Sequence, residues 1–190
     1  TFMPILEKLV LGSKSPRRQE ILGDAGFDFK VIEPQIVERY PADMNFYNVA
    51  EYISKLKMFD VYSYLGDDAE MIICADTIVI FEKKILGKPK NIDYAFRYLN
   101  AMNGKTHEVV TGITMRKNKK QISFSETTKV HFKMLDEAQI HQYIKKYNPL
   151  DKAGAYNIQE YNGVEKIEGE FQNVMGLPIK RIIAEIKKWK

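Results

Sequence analysis

Hydrophobic and polar positions along this chain switch repeatedly between a helical and an extended repeat, and the switches mark out its elements. The apolar run KLVLG (8–12) predicts a strand. A helix is predicted from Pro16 to about Gly26, with Ser15 as its N-cap and proline at the first helical position. FKVI (29–32) reads as a strand, residues 33–45 as a loop, and FYNVAEYISKLKMFDVYSYL (46–65) as a long helix. EMIICADTIVIF (70–81) is an apolar strand, with EKK as a tight turn and ILG as its return. Asn91 caps a helix in which Ile92, Ala95, Phe96, Leu99 and Met102 keep the i, i+3, i+4 spacing. THEVVTGITMRK and QISFSETTKVHFKML are long strands joined as a hairpin at NKK. Helix DEAQIHQYIKKY follows, then a Gly-rich stretch, a short hairpin around NGVEKIEGEF (162–171) and a final helix, PIKRIIAEIKKWK. Crossovers and hairpins together predict an α/β fold on a mixed sheet.

Composition narrows the picture. With 190 residues, 45% of them hydrophobic, and no repeat, low-complexity segment or linker, residues 1–190 read as a single domain. No apolar run approaches the roughly 20 residues that span a bilayer, and no signal-peptide pattern stands at the start. A single cysteine excludes an internal disulfide and fits a reducing compartment, so a cytoplasmic location is expected. The net charge of +4 suits an anionic small molecule better than nucleic acid. Much of that excess lies in the last helix, where basic residues suit the C-terminal end and read as a solvated face.

Candidate chemistry begins at SKSPRRQEIL (13–22). Arg17 and Arg18 stand in the first turn of a helix, where the dipole is already positive and acids are preferred. Two serine hydroxyls, free backbone N–H groups and two guanidiniums read equally as a phosphate cradle or as a surface helix with ordinary arginines. Asp76 interrupts an apolar strand, and a carboxylate there must be paired, hydrogen-bonded or metal-bound. It reads as a metal ligand or general base at a strand end, or as an aspartate capping a bend. Cys74, on the same face by alternation, reads as a small buried side chain. Lys88, in LGKPKN, has the reach for a phosphate. GKT at 104–106 is not a P-loop: Leu99 replaces the required glycine, and the stretch ends a helix and opens a strand. His107, His131 and His141 show no metal-ligand spacing, and His107 reads equally as a structural or a catalytic residue. In NPLDKAGAYNIQ, small residues permit close approach of a ligand, and Gln159 offers both a donor and an acceptor.

LGSKSPRRQEIL, ADTIV with LGKP, NGKTHEVVTG, DKAGAYNIQ and EGEFQNVMGLPI occur in that order. Together they resemble the Maf family of nucleoside triphosphate pyrophosphatases over nearly the whole chain. The resemblance implies a fold of the Maf/inosine-triphosphatase type: an elongated mixed sheet with flanking helices, in two lobes around a cleft. It implies hydrolysis at the α-phosphate to the monophosphate and pyrophosphate, with a divalent cation, Mg²⁺ or Mn²⁺. Carried over by position, Ser13, Ser15, Arg17 and Arg18 form the phosphate site. Asp76 is the general base, Lys88 the GKP lysine, and Glu38 a metal ligand with Asp76. Arg17, Thr77 and Gln159 match the trio of the dTTP/UTP branch, where a glutamine amide can pair with the imide edge of thymine or uracil. A further lysine matches Lys57, with Lys55 as the alternative. The pattern departs from the family at Gly12, where a small residue, often alanine, is usual; at Asn148, where an acid is expected; and at Asn157, where glycine is usual. If that glycine takes φ > 0, asparagine is a suitable replacement. No nucleic-acid or membrane partner is expected, and a homodimer is compatible with the resemblance. The rival readings are a nucleotide-binding regulator of division with vestigial hydrolysis, and an RNA-binding module. Retention of Glu38, Asp76 and both lysines speaks against the first. The second would need a basic stripe interleaved with exposed aromatics, whereas the aromatics here keep core-like spacing.

Overall fold

In a computed structural model, which describes residues 9–189, the chain forms seven strands and six helices. They are β1 (Leu9–Gly12), α1 (Pro16–Asp24), β2 (Phe29–Val31), α2 (Phe46–Leu65), β3 (Met71–Phe81), β4 (Lys84–Leu86) and α3 (Ile92–Met102). The chain continues through β5 (Thr106–Lys117), β6 (Lys120–Phe132), α4 (Glu137–Tyr147), β7 (Val164–Glu168), α5 (Phe171–Val174) and α6 (Ile179–Lys187). The strands make one mixed sheet in the order β2-β1-β3-β5-β6-β7, with β4 hairpinned onto β3. β1 runs parallel to both neighbours, pairing Leu9 with Phe29 on one side and Gly12 with Cys74 on the other. Lys8, the first residue of the strand expected at 8–12, lies outside the described residues.

Contacts divide the chain into two units. One holds the residues up to Asp76, Thr111–Glu126 and those from Gly176 on; the other holds Thr77–Val110 and Thr127–Met175. Three of the boundaries fall inside β3, β5 and β6, and the fourth lies in the short turn between α5 and α6.

In the first unit, Val10, Met58, Val61, Ala69, Ile72 and Cys74 form a buried cluster, with Ile32, Tyr62 and Leu65 packed against it. Two glycines set how closely its layers approach. A Cβ on Gly12 would overlap the Cys74 thiol, and a Cβ on Gly112 would overlap the α2 backbone at Ala50 and Glu51. The need for a small residue before Ser13 therefore has a direct steric cause.

In the second unit, Asn103 brackets the chain after β6: its Oδ1 accepts from Leu135 N (2.9 Å) and its amide donates to Leu135 O (2.8 Å). This explains why β6 ends at Phe132 and not at Leu135. Asp136 then opens α4 with a capping box completed by Gln139. His107, Phe132, Tyr156, Tyr161 and Tyr143 form one aromatic cluster, its rings edge to face apart from the tilted Phe132–Tyr161 pair.

Residues 162–171 do not form a hairpin of their own. Only β7 is extended, and it pairs antiparallel with β6, Lys129 opposite Glu168 and Val130 opposite Ile167. Its ladder is satisfied by a distant strand, and Gly169 (φ 126°) turns the chain into the short α5. Among the described residues, no helix is long and apolar enough to cross a membrane.

Candidate active site

The turn between β1 and α1 places the serine–arginine motif. Ser15 is the N-cap, and its Oγ accepts from Arg18 N (3.4 Å). Ser13 is buried, and its Oγ accepts from Ser15 N (3.2 Å) and from Arg18 Nη1 (3.1 Å). Both hydroxyl oxygens thus shape the turn, while each hydroxyl proton can still be given to an anion. Arg18 is anchored a second time, donating from Nε to the carbonyl of Gly176 (2.7 Å). That carbonyl is a site component the sequence reading missed, and glycine at φ 111° was its only signal, within VMGLP. Burial pulls the Arg18 pKa down, against the raising fields of Asp76 and Glu38 and with the repulsion of neighbouring Arg17. A guanidinium keeps its charge under such conditions, so Arg18 is a cation fixed in direction. Arg17 is half-buried beside it.

Asp76 is not at a strand end, as the sequence suggested, but in the middle of β3, which runs unbroken from Met71 to Phe81. It is 8% exposed. Lys57, from α2, donates to Asp76 Oδ1 (3.0 Å) and to Ala75 O (3.0 Å) and lies 3.4 Å from Glu38 Oε1. One ammonium is therefore shared between two carboxylates. Burial raises the Asp76 pKa; Lys57 opposes the rise and Glu38 adds to it. Lys55, the alternative to Lys57, instead pairs with Glu51 at 3.5 Å, half-exposed on the far side of the same helix turn. Cys74 is inert packing: burial pushes its thiol up to about 12, far from the thiolate that nucleophilic chemistry needs.

Glu38 and Asp76 are the carboxylates that could hold a divalent cation. Among the described residues, no group of three or more His, Cys, Asp and Glu side chains is arranged to do so. Two carboxylates with substrate oxygens completing the shell are the usual Mg²⁺ arrangement, so the donor chemistry fits one.

The remaining candidates belong to the second unit. Thr77 follows Asp76 in β3 and is half-buried. Lys88 is exposed in the turn after β4, and that turn is tied down by Gly154 N donating to Gly87 O (3.1 Å). Gly154 and Ala155 both take positive φ (67° and 66°), whereas Asn157 does not, so its replacement of glycine has another cause. Asn157 is buried, and its Oδ1 accepts from Gln159 N (3.1 Å). Gln159 is exposed. His107 is buried, with Nε2 hydrogen-bonded to Tyr156 Oη at 2.6 Å, and burial lowers its pKa to about 3. His107 is a structural residue of the aromatic cluster.

A mixed sheet with one lysine shared between a buried aspartate and an exposed glutamate defines an α/β protein, and its architecture has a solved counterpart. The structure of the Staphylococcus aureus Ham1 protein superposes with a TM-score of 0.56, covering 96% of this chain and 99% of that one, at 14% identity. The two therefore share a fold. The chain belongs to the Maf family: the profile described as Maf-like protein matches residues 8–189. Similar proteins bear the name dTTP/UTP pyrophosphatase in Bacteroides thetaiotaomicron (42% identical over 185 residues, 95% of each chain) and in Cytophaga hutchinsonii (40%, 95% of this chain and 83% of that one). A protein of the same name from Thermoanaerobacter pseudethanolicus is 42% identical over 193 residues, 95% of this chain and 96% of that one.

Proposed function

We propose that this protein is a dTTP/UTP pyrophosphatase, hydrolysing the nucleotide to its monophosphate and pyrophosphate. The observation that carries the chemistry is Lys57 held between Asp76 and Glu38, within the electrostatic field of the doubly anchored Arg18. Water attacks the α-phosphorus as Asp76 takes its proton; the bond to the bridging oxygen breaks, and pyrophosphate leaves. A raised pKa brings a carboxylate closer to the working range of a general base. Arg17, Arg18, Lys57 and Lys88 neutralise the phosphates, and the hydroxyls of Ser13 and Ser15 donate to them. A divalent cation, Mg²⁺ or Mn²⁺, held by Asp76 and Glu38, would supply further neutralisation of the triphosphate. Thr77 and Gln159 hold the family's base-selecting positions, where a glutamine amide pairs with the imide edge of thymine or uracil. Most of the rate enhancement is then positioning and charge stabilisation.

A panel of dTTP, UTP, CTP, GTP and ATP, with Mg²⁺, with Mn²⁺ and with chelator, tests this. Pyrophosphate with dTMP or UMP is expected, with little turnover of purines. Orthophosphate as the sole product, or a preference for a purine, would overturn the assignment.

A further inference from the structure

We infer that Asn157 is a positioning residue for base selection, acting through Gln159. The inference rests on the proposed role of Gln159 as the reader of the base. Three observations place Asn157 in control of where Gln159 stands. Its side-chain Oδ1 accepts from the Gln159 backbone N–H (3.1 Å), the Asx turn by which asparagine mimics a backbone turn. Its own carbonyl accepts from Glu160 N (2.9 Å) and Tyr161 N (3.0 Å), closing the chain around Gln159. Its N–H donates to the phenol of Tyr143 (2.9 Å), fixing the start of the turn to α4. Ile158, buried beneath the turn, leaves Gln159 the exposed residue at its apex.

Glycine at this position would keep the backbone bonds and lose the Oδ1 acceptor. The backbone of Gln159 would then be held by fewer contacts, and its amide would sample more directions. A site that discriminates by an amide loses discrimination when the amide is loosely held, while phosphate binding, which Asn157 does not touch, is unaffected.

The test is kcat/KM for dTTP, UTP, CTP and GTP in the wild type and in Asn157→Gly, Asn157→Asp, Gln159→Ala and the double variant Asn157→Gly/Gln159→Ala. Asn157→Gly is expected to reduce the preference for dTTP over GTP by about threefold to tenfold, the range for loss of one neutral hydrogen bond. Asn157→Asp keeps an acceptor at the same place and should restore the preference, even if its charge changes kcat/KM for all four nucleotides together. In the Gln159→Ala background, Asn157→Gly should change the preference no further. Equal losses on all four nucleotides, or an additive effect in the double variant, would overturn the role of Asn157. If Gln159→Ala leaves the preference intact, the reading of Gln159 fails first and takes this inference with it. If Gln159→Ala abolishes the preference and Asn157→Gly does not alter it, only the inference fails. Should Asn157→Gly not fold, loss of preference in Asn157→Asp would be the overturning result.

Discussion

A carboxylate in the middle of an apolar strand costs stability whenever it is charged, and Asp76 occupies such a place. Its pKa in the folded protein is raised, so its contribution to stability is present below the unfolded value and is lost as pH rises through the folded value. Burial thus makes the charged form of Asp76 the costlier one in the native protein. Asp76→Asn should lower turnover by roughly 10²–10⁴ and yet melt at a higher temperature than the wild type without nucleotide at pH 8. The gap should close on acidification, as Asp76 takes up its own proton. A melting temperature that falls equally at every pH would show that the Lys57–Asp76 pair stabilises the fold. Arg18 is a second residue whose role has two parts. Read alone, it is a misplaced cation at the positive end of a helix; in the structure it also ties α1 to Gly176. Removing it would cost the tie to Gly176 as well as the phosphate affinity proposed for it.

At the scale of elements, nearly all of the sheet and helices was legible from periodicity and caps. The bounds of α2 and β5 match the apolar pattern, and Asn91 caps its helix as expected, while Asp136, read as the first helical residue, is the N-cap of α4. What was not legible depends on distant partners. β7 is paired by a strand more than thirty residues away, so its local sequence, which resembles a hairpin, was misleading. The site was legible in parts: residue types and order were visible, but Lys57 was separable from Lys55 only once α2 faced β3. Gly112 shows the same limit. In the sequence it is one glycine in a strand; in the fold it is where β5 meets the backbone of α2 without any intervening side chain. Gly112→Ala should destabilise by about 3 kcal/mol or more, since a backbone cannot step aside as a side chain can. The urea midpoint would show it, and a loss below about 0.5 kcal/mol, the size of an ordinary surface change, would mean the helix can shift outward.

For the molecule as a whole, acid stability sets Asp76 and His107 against each other. His107 is neutral in the fold, its pKa lowered to about 3 by burial and, to a lesser degree, by the nearby His131. The unfolded chain binds a proton at this residue near pH 6.5. The stability contributed by His107 is therefore whole above that value and lost as pH falls from about 6.5 toward about 3, on the order of 5 kcal/mol at full extent. Asp76 moves the other way over the acidic range, and its gain offsets part of this loss. His107→Gln should flatten the fall in melting temperature between pH 7.5 and pH 4.5. An unchanged fall would place the acid sensitivity elsewhere.

The lone cysteine lies two residues before Asp76, sealed beneath Gly12 with its thiol pushed up to about 12. Nature has in effect installed a silent reporter in β3. A maleimide or disulfide reagent cannot reach Cys74 until the core around it opens, so the labelling rate measures the opening of the region that carries Asp76, the proposed general base. Saturating dTTP in the Asp76→Asn protein, whose turnover should be strongly slowed, is expected to slow labelling in proportion to occupancy. Labelling that ignores the nucleotide would mean that the region opens independently of the site.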